Sequence, residues 1–530
     1  MKPDFDVIIV GSGPAGVSAA FPLVRAGLHV LMVDGGKQAQ DPPPTEDFLS
    51  WRANDAFQAR RMVGEKFHAL KMLEAVSPKL RVPSLAYVFD QFMEKNHISG
   101  ENFATIGSLA TGGLSNAWGC GVARFSSAEF ESFPFALSEI ENSYAEVAKR
   151  VGVSGGVSDD LSEYYGLDEW SQPPIAMDKL HDYFLQRYNL SKEKHVQRGF
   201  KMGHTRLAVL KENHNGRQAC SLSGNCLWGC HRRALYSAAD ELPSLQKYEN
   251  FRLQAGFLVS SLSKKEGLWT IEGKAVSTGE YRSISATKII LAAGTLATTR
   301  LVLQTLGHYE ALPLMSCPTA AFMVWVPRFL GARREAAFGL GQLSFTLSLG
   351  DRLSAFGATF STTGVPMSEF VRHVPLKTRY GADLLKSLLS SCVVGNMFLP
   401  GAYGGGRARL SAEGQLVVSA TPHDETQGLL KKGVHILSKS YRSMGAVLLP
   451  GSFTAGRAGG DIHYAGTLPM RKTPKIGETG PIGEVMSLGG IYVVDGASLS
   501  ILPEKPHTLT IMANADRIAH KIVDEFKAPK

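Results

Sequence analysis

The sequence has little cysteine and no long apolar run. Only six of its 530 residues are cysteines, too few for the disulfide framework of a small secreted protein. No stretch of about 18 consecutive apolar residues occurs, so no transmembrane helix is predicted. The N-terminus lacks the charged, apolar and small-residue regions of a signal peptide. A cytoplasmic protein without a membrane span is therefore expected.

Charge of one sign is not concentrated in any block of the chain. Lys and Arg number 56 against 48 Asp and Glu, a formal net charge of +8. Without a long basic block we expect no nucleic-acid partner, although the mild excess would attract anionic small molecules. Hydrophobic residues make up 44% of the chain, which excludes a disordered or fibrous protein. The length suggests two to four domains.

A glycine motif follows the first predicted strand. Residues 5–10 form a β-branched run typical of a buried parallel strand, and Gly11-x-Gly13-x-x-Gly16 comes directly after it. In such a motif the first glycine makes a tight turn and the second lets the backbone approach a pyrophosphate. The third lets the following helix pack on the strand.

The residues after the motif complete one βαβ unit. A helix is predicted over residues 15–26 and a strand over residues 28–33. Asp34 stands 23 residues after Gly11, where an acid can accept hydrogen bonds from a ribose. The unit predicts dinucleotide binding without separating FAD from NAD, and an ordinary glycine-rich turn is the alternative.

The rest of the chain contains both helical and strand patterns. We predict mostly helix with proline breaks over residues 46–100, no regular helix over 101–125, a helix over 136–151 capped by Ser138, strands over 251–292, an antiparallel sheet with helices over 310–455, and a final strand, loop and helix after residue 490.

Three further blocks of the sequence carry a recognisable pattern. Residues 112–125 read Gly-Gly-Leu-Ser-Asn-Ala-Trp-Gly-Cys-Gly-Val-Ala-Arg-Phe, residues 463–467 read His-Tyr-Ala-Gly-Thr, and residues 494–498 read Val-Asp-Gly-Ala-Ser. With residues 6–34 and the Pro-His-Thr of 506–508, these blocks resemble the glucose–methanol–choline (GMC) flavoprotein oxidoreductases and stand in that family's order and distance. The first block looks most similar to the pyranose oxidase branch, whereas residues 310–455 match no known segment.

The resemblance implies FAD as the cofactor and oxidation of an alcohol to a carbonyl, by proton abstraction and hydride transfer to flavin N5. It also implies two active-site residues, His463 and, 44 residues later, His507. Histidine suits the proton step because its ordinary pKa of about 6.5 lies near working pH. We interpret His463 as the base and His507 as the partner of the substrate oxygen. The reverse assignment, or a purely structural role for either ring, stays open.

The same resemblance implies a set of FAD contacts. Val259 would meet the adenine through its backbone, and Asp495 would bind the ribityl or pyrophosphate region unless it only caps a loop. The last helix, from residue 508, would direct its N-terminal dipole at the flavin. The predicted FAD-binding residues are Gly11, Gly13, Pro14, Ala15, Gly16, Asp34, Gly113, Ser115, Asn116, Ala117, Val259, Ala293, Gly294, Asp495, Gly496 and Thr508.

One residue of the flavin loop departs from the pyranose oxidase pattern and bears on how FAD is held. In pyranose oxidases a histidine beside the loop tryptophan bonds the flavin covalently, but Ala117 stands there and has no nucleophilic atom. Non-covalent FAD is therefore predicted.

Cys220, Cys226 and Cys230 resemble a segment of some bacterial GMC dehydrogenases. Their C-x5-C-x3-C spacing is not a standard metal spacing, so we predict no metal and favour packing over a bound metal or a redox-active thiol pair.

Together the patterns predict an α/β protein with a discontinuous Rossmann-like FAD-binding domain and a substrate-binding domain of mainly antiparallel sheet and helices. The first takes residues 1–45, 101–165, 205–310 and 455–530, and the second takes residues 46–100, 166–204 and 311–454.

Several functional alternatives stay open. A sugar or polyol-like hydroxyl is the favoured substrate, and a lipid or natural-product alcohol is the alternative. The electron acceptor is oxygen or another molecule, and the oligomeric state is open. An NAD-dependent dehydrogenase would leave His463 and His507 unexplained, and a non-catalytic binding protein would not need them.

Overall fold

The structure, a computed structural model, describes residues 3–72, 77–372 and 374–528. Its strands are β1 (Phe5–Val10), β2 (Val30–Asp34), β3 (Ile98–Glu101), β4 (Val153–Ser154), β5 (Ser171–Gln172), β6 (Phe200–His204), β7 (Phe251–Ala255), β8 (Phe257–Lys265), β9 (Leu268–Ala275), β10 (Tyr281–Leu291), β11 (Leu312–Ser316), β12 (Thr319–Trp325), β13 (Gly341–Gly350), β14 (Leu353–Ser361), β15 (Cys392–Phe398), β16 (Gly406–Leu410), β17 (Leu416–Ala420), β18 (Val447–Leu448), β19 (Thr454–Ala455), β20 (Tyr464–Ala465) and β21 (Ile491–Val493).

The α-helices are α1 (Pro14–Arg25), α2 (Phe48–Asn54), α3 (Gln58–Val63), α4 (His68–Lys71), α5 (Ala86–Phe89), α6 (Phe92–Lys95), α7 (Ser127–Phe130), α8 (Glu141–Val151), α9 (Ser162–Tyr165), α10 (Lys179–Asn189), α11 (Lys192–Gln197), α12 (Leu242–Leu245), α13 (Thr295–Leu306), α14 (Ser368–Val371), α15 (Thr378–Leu388), α16 (Thr426–Ser443) and α17 (Thr508–Lys527). Short 3₁₀ helices span Pro78–Arg81, Pro83–Leu85, Gly113–Asn116, Leu137–Glu139, Asp168–Trp170, Ala238–Glu241, Pro327–Phe329, Leu389–Ser391, Gly401–Tyr403 and Gly496–Ser498.

The first sheet has the order β7-β2-β1-β10-β9-β8, and β21 also pairs with β10. Strands β7, β2, β1, β10 and β21 run parallel to their neighbours, whereas β8, β9 and the first half of β10 form an antiparallel meander. The parallel strands are apolar along their length because helices cover the sheet. Val7, Ile8 and Ile9 of β1 are wholly buried.

Helices α1 and α17 pack together beside this sheet. Every residue of α1 from Ala15 to Val24 is buried, and α17 buries Ala515, Ile518 and Ile522 on one face. Glycine makes the close packing of α1 achievable. A Cβ atom on Gly16 would lie 2.0 Å from the Gly11 carbonyl oxygen, so the third glycine of the motif serves helix packing as predicted.

A second sheet, of order β18-β12-β15-β14-β13-β6 with β19 beside β12, is antiparallel throughout. Its apolar face packs against α10 and α16 through a core that includes Phe322, Phe345 and Leu437. A third sheet has the order β20-β11-β16-β17-β3. Its edge strand β20 directly follows His463.

The predicted fold class is confirmed: a parallel-sheet unit assembled from distant segments is combined with a mainly antiparallel sheet and helices. The strands of the first sheet all come from segments assigned to the FAD-binding domain, and the domain boundaries themselves stay a prediction. The predicted cap Ser138 is wrong. Helix α8 begins later, at Glu141, because Ser138 lies inside the 3₁₀ turn Leu137–Glu139. None of the described helices combines the length and the apolar character needed to cross a bilayer.

Candidate functional site

The glycine motif after β1 leaves room at one position only. Gly11 has φ +110°, and a Cβ atom there would lie 2.2 Å from the Ala292 carbonyl oxygen. A Cβ atom on Gly13 meets nothing within 4 Å. Gly13 caps the N-terminus of α1, with Pro14 as its first residue, and the free N–H groups of that helix end favour a phosphate. The motif therefore forms a cradle of the kind that a pyrophosphate fills.

Asp34 ends β2 and is buried beside this cradle. Its carboxylate accepts hydrogen bonds from the Ser12 hydroxyl and, at 2.9 Å, from the Gly36 N–H group. Burial raises the pKa of Asp34, while hydrogen bonds from Ser12, Thr111 and backbone N–H groups act against that shift. The ribose contact of Asp34 stays a prediction.

The strand that carries Val259, β8, begins at Phe257, one residue after a backbone contact with Asp34. Gly256 immediately precedes β8, and its backbone N–H donates a hydrogen bond to the Asp34 carboxylate. The register of β8 against β9 shifts between Val259 and Ser261, so a bulge lies next to Val259. Bulges of this kind redirect the backbone locally. This placement supports the predicted adenine contact, which stays a prediction.

The loop that resembles the flavin-contacting segment folds as the 3₁₀ turn Gly113–Asn116 over the cradle. A Cβ atom on Gly113 would lie 3.2 Å from the Gly13 Cα atom. The Asn116 amide donates to the Thr111 and Gly113 carbonyl oxygens, both at 2.9 Å, and accepts from Ser237 at 2.9 Å. The predicted flavin contact of Asn116 is untested. Within the protein its side chain holds the turn.

Ser115 lies within this turn, and Ala117 directly follows it. The Ser115 hydroxyl donates to the Gly112 carbonyl oxygen at 2.6 Å and accepts from the Ala238 N–H group at 2.9 Å. Ala117 ends the turn and packs against the aromatic cluster of Phe48, Trp51 and Trp228. The aromatic cluster suits the apolar alanine side chain, and none of its members offers a nucleophile that could bond a flavin.

Asp495 connects the ends of two strands in the first sheet. Its carboxylate accepts from the Gly294 N–H at 2.9 Å, the Thr298 hydroxyl at 2.5 Å and the Ala497 N–H at 3.0 Å. Burial raises the pKa of Asp495 to about 6. The loop-capping role that the sequence left as an alternative is therefore present in the structure, and the predicted ribityl contact stays a prediction.

Three other predicted FAD-binding residues surround Asp495. Ala293 and Gly294 follow β10, and a Cβ atom on Gly294 would meet nothing within 4 Å. Gly496 is packed tightly, because its Cβ atom would lie 2.6 Å from the Thr295 hydroxyl oxygen. Thr508 is the first residue of α17, directly after His507.

The two predicted catalytic histidines meet. The ring centroids of His463 and His507 lie 4.8 Å apart with an interplanar angle of 87°. His463 immediately precedes β20, whose loop is joined to the Asp495 turn by a 3.0 Å hydrogen bond from the Gly466 N–H to the Gly496 carbonyl oxygen. His507 is the residue before α17. Local hydrogen bonding thus brings together residues separated by 44 positions.

The histidine pair lies against the flavin-loop segment. A Cβ atom on Gly121 would lie 3.2 Å from the Pro506 ring, next to His507. Phe398 at the end of β15 packs on His463, with ring centroids 5.1 Å apart. The pair therefore lies between the loop that contains Gly121 and the end of β15 in the antiparallel sheet.

Burial keeps both rings neutral. It lowers the pKa of His507 to about 4. For His463 burial is again the main cause, followed by the charges of His507 and Lys79, and the pKa falls well below its ordinary value. The Nδ1 atoms of both rings have no hydrogen-bond partner among the described residues. Two neutral imidazoles with unsatisfied buried nitrogens are suited to take up a substrate hydroxyl.

Asp461 is a functional candidate that the sequence did not predict. One of its carboxylate oxygens lies 3.7 Å from His463 Nδ1. The carboxylate accepts from the Ser316 hydroxyl and the Cys317 N–H group, both at 2.8 Å, and burial raises its pKa to about 7. Its only sequence signal was its position two residues before His463.

The cysteines show no disulfide among the described residues. Cys220, Cys226 and Cys230 line one small cavity, and burial raises the pKa of the Cys226 thiol beyond its ordinary range. Elsewhere, Cys317, Asp461 and His463 place potential ligand atoms within 4.8 Å of one another. Both Asp461 oxygens already accept hydrogen bonds, so we assign no metal there.

The comparisons agree with this geometry. The family described as pyridine nucleotide-disulphide oxidoreductase matches residues 5–96. Among curated proteins none matches the chain by sequence. The crystal structure of pyridoxine 4-oxidase from Mesorbium loti is 14% identical, covers 98% of this chain and 99% of its own, and has a TM-score of 0.62. The structural likeness shows that the chain has the fold of this oxidase, the fold that the GMC resemblance predicted. The family match covers the segment of the glycine motif.

Proposed function

We propose that the protein oxidises an alcohol to a carbonyl compound with FAD as its cofactor. The observation that carries the proposal is the meeting of His463 and His507, with ring centroids 4.8 Å apart, in a protein whose chain begins with a nucleotide-binding motif. The burial of both Nδ1 atoms without hydrogen-bond partners fits a role in catalysis better than a role in stability.

The residues present fit FAD. The open cradle at Gly13 and the N-terminus of α1 would hold the pyrophosphate, and Asp34 would hold the ribose beside it. The Gly113–Asn116 turn and the N-terminus of α17 would flank the flavin. Ala117 has no group that bonds a flavin covalently, so the cofactor would be held by non-covalent contacts alone. When bound, FAD supplies the acceptor for the hydride that leaves the alcohol carbon.

His463 would take the hydroxyl proton. A neutral imidazole accepts a proton at Nδ1 or Nε2, and burial keeps the ring neutral. His507, edge-to-face with it, would donate a hydrogen bond to the substrate oxygen as charge develops there. The reverse assignment uses the same geometry. Asp461, with a carboxylate oxygen 3.7 Å from His463 Nδ1, would orient the His463 ring by its charge rather than by a hydrogen bond, and would not contact the substrate.

We also propose a substrate class, which is a narrower statement than the oxidation of an alcohol. The likeness of residues 112–125 to pyranose oxidases favours a sugar or polyol-like hydroxyl. The structural relative is named pyridoxine 4-oxidase, so alcohols carried on an aromatic ring are a second class to test. A lipid or natural-product alcohol is the alternative, and oxygen or another small molecule would take the electrons. A cytoplasmic location stays a prediction.

The visible spectrum of the purified protein and its response to alcohols test the proposal. We expect flavin absorbance near ~450 nm that bleaches when sugars, polyols and aromatic alcohols are mixed anaerobically with the protein. A colourless protein that reduces NAD with an alcohol would establish the NAD-dependent alternative. A yellow protein that no alcohol in the panel bleaches would favour a non-catalytic binding protein.

A further inference from the structure

The two faces of the second sheet have different surroundings. In β15, Met397 points into the core beneath α10 and α16, whereas Val394, Asn396 and Phe398 are partly exposed on the opposite face. Alternate residues of a strand lie on the same face of a sheet. Because the Phe398 ring packs on His463, with centroids 5.1 Å apart, this second face begins at the histidine pair.

Other elements cover the two ends of this second face. At the far end, Val394 and its cross-strand partner Met323 pack against the apolar cluster of α14 and α15. At the histidine end, Phe398 and its cross-strand partner Phe356 pack in a cluster with Tyr165. Each end row of side chains is therefore in contact with a neighbouring element.

The row between these two ends is open. It consists of Asn396, flanked by Ala321 of β12 and Ala358 of β14 as cross-strand partners. Ala321 is exposed and Asn396 is partly exposed. Two residues of a strand span about 7 Å, so this is the distance along β15 from Asn396 to Phe398, the residue that contacts His463.

The Asn396 side chain is held at its oxygen end only. Its Oδ1 atom accepts a hydrogen bond from the Ala358 N–H group at 3.1 Å. Its Nδ2 atom donates to no residue within 3–72, 77–372 and 374–528. An amide nitrogen carries two N–H donors, so both are free to bind a ligand.

The backbone around Asn396 is closely packed. A Cβ atom on Gly357 would lie 2.2 Å from the Asn396 carbonyl oxygen, so the glycine lets β14 and β15 approach each other beside the asparagine. The side chains on either side of the amide in its row are methyl groups. A fixed, uncharged donor in apolar surroundings selects an uncharged acceptor oxygen and discriminates against a molecule that lacks one.

We propose that Asn396 is a specificity-determining residue whose Nδ2 atom donates a hydrogen bond to a second oxygen of the alcohol substrate. The inference rests on the proposed function, because it places the reacting hydroxyl at His463 and the second oxygen at Asn396. A separation of about 7 Å suits a hydroxyl or ether oxygen across a six-membered ring from the carbinol carbon. The substrate class is thereby narrowed to alcohols with an uncharged acceptor oxygen at that distance.

Equilibrium binding to the photoreduced holoenzyme tests the proposal without turnover. Three matched pairs serve as probes: 4-ethylbenzyl and 4-methoxybenzyl alcohol, cyclohexylmethanol and tetrahydropyran-4-ylmethanol, and 4-deoxyglucose and glucose. In the first two pairs an oxygen replaces a methylene group, so the size of the molecule hardly changes. We expect the second member of at least one pair to bind about 3- to 10-fold more tightly, the effect of one hydrogen bond.

The Asn396→Asp variant separates the donor from the rest of the side chain. Aspartate retains an oxygen for the Ala358 N–H group but has no Nδ2 donor, so the fold and FAD should be retained while the preference falls to twofold or less. Asn189→Asp makes the same chemical change at an exposed position of α10 and should leave the preference unchanged. Asn396→Leu, which also lacks the donor, repeats the test if the aspartate variant loses its fold or its FAD.

The outcomes of the two proposals are distinguishable. Equal binding within all three pairs, or no binding of any oxygen-bearing member, would overturn the role of Asn396. An Asn396→Asp protein with the wild-type preference would overturn it as well. Failure of every alcohol to bleach the flavin would instead refute the proposed function, because the binding preference is measured without flavin reduction.

Discussion

Replacing Gly13 by alanine should separate cofactor binding from folding. A Cβ atom at position 13 has no protein neighbour within 4 Å, and the backbone there, at φ −68° and ψ −179°, suits any residue. The free energy of unfolding without FAD should therefore change by no more than about 0.5 kcal/mol. The methyl group would instead occupy the space that we assign to the FAD pyrophosphate.

The expected loss of FAD affinity follows from the size of that methyl group. Adding a methyl to a close contact costs about 1–3 kcal/mol. Because about 1.4 kcal/mol corresponds to a tenfold change in affinity, FAD should bind roughly 5- to 150-fold more weakly. Titration of FAD into the apoprotein measures the affinity, and urea unfolding of the same apoprotein measures its stability.

Two other glycines provide controls for the same assays. Gly428→Ala, in α16, also meets nothing within 4 Å and lies in a helix far along the chain from the motif, so it should change neither property much. Gly16→Ala would bring a Cβ atom to 2.0 Å from the Gly11 carbonyl oxygen and should prevent normal folding. The reasoning fails if Gly13→Ala binds FAD with wild-type affinity, or if it unfolds as Gly16→Ala does.

Three further predictions concern the site. Because burial lowers the pKa of His507 from 6.5 to about 4, the folded protein binds fewer protons than the unfolded chain in that range. The free energy of unfolding therefore falls by up to about 3 kcal/mol as the pH is lowered from the ordinary pKa of 6.5 to the pKa of about 4 in the folded protein. His507→Asn should remove that loss in urea unfolding at pH 7 and pH 4.5, and an unchanged pH dependence would contradict the burial of this ring. Asp461→Asn should slow anaerobic flavin reduction by up to about 100-fold because His463 loses its orienting carboxylate, and a wild-type rate would remove Asp461 from the site. Acid precipitation should leave a colourless pellet, since Ala117 bonds no flavin; a yellow pellet would show a covalent cofactor.

The sequence predicted the parts of the site that depend on local patterns. The strand, glycine motif and helix of residues 5–25 need specific residue types at fixed spacing, so β1, Gly11 and α1 were found directly. His463 and His507 were found through their place in longer blocks. Their meeting could not be derived from spacing, because it depends on hydrogen bonds such as that between Gly466 and Gly496.

Other features depend on tertiary structure and had no local signal. Asp461 is one of many acidic residues, and only its hydrogen bonds to Ser316 and Cys317 hold its carboxylate beside His463. Asp495 was expected at the cofactor, yet its three hydrogen bonds to Gly294, Thr298 and Ala497 hold the loop. The sequence offered both roles and could not choose, since the partners lie some 200 residues away in the chain or within the same turn.

The rate of flavin reduction in a single anaerobic turnover tests the central claim most directly. The claim is that His463, paired with His507, takes the proton of the alcohol. His463→Ala should retain the yellow FAD and reduce it about 10²- to 10⁴-fold more slowly than the wild type. His435→Ala, an exposed histidine of α16, should react at the wild-type rate. A His463→Ala protein that keeps its FAD and is reduced at the wild-type rate would contradict the account.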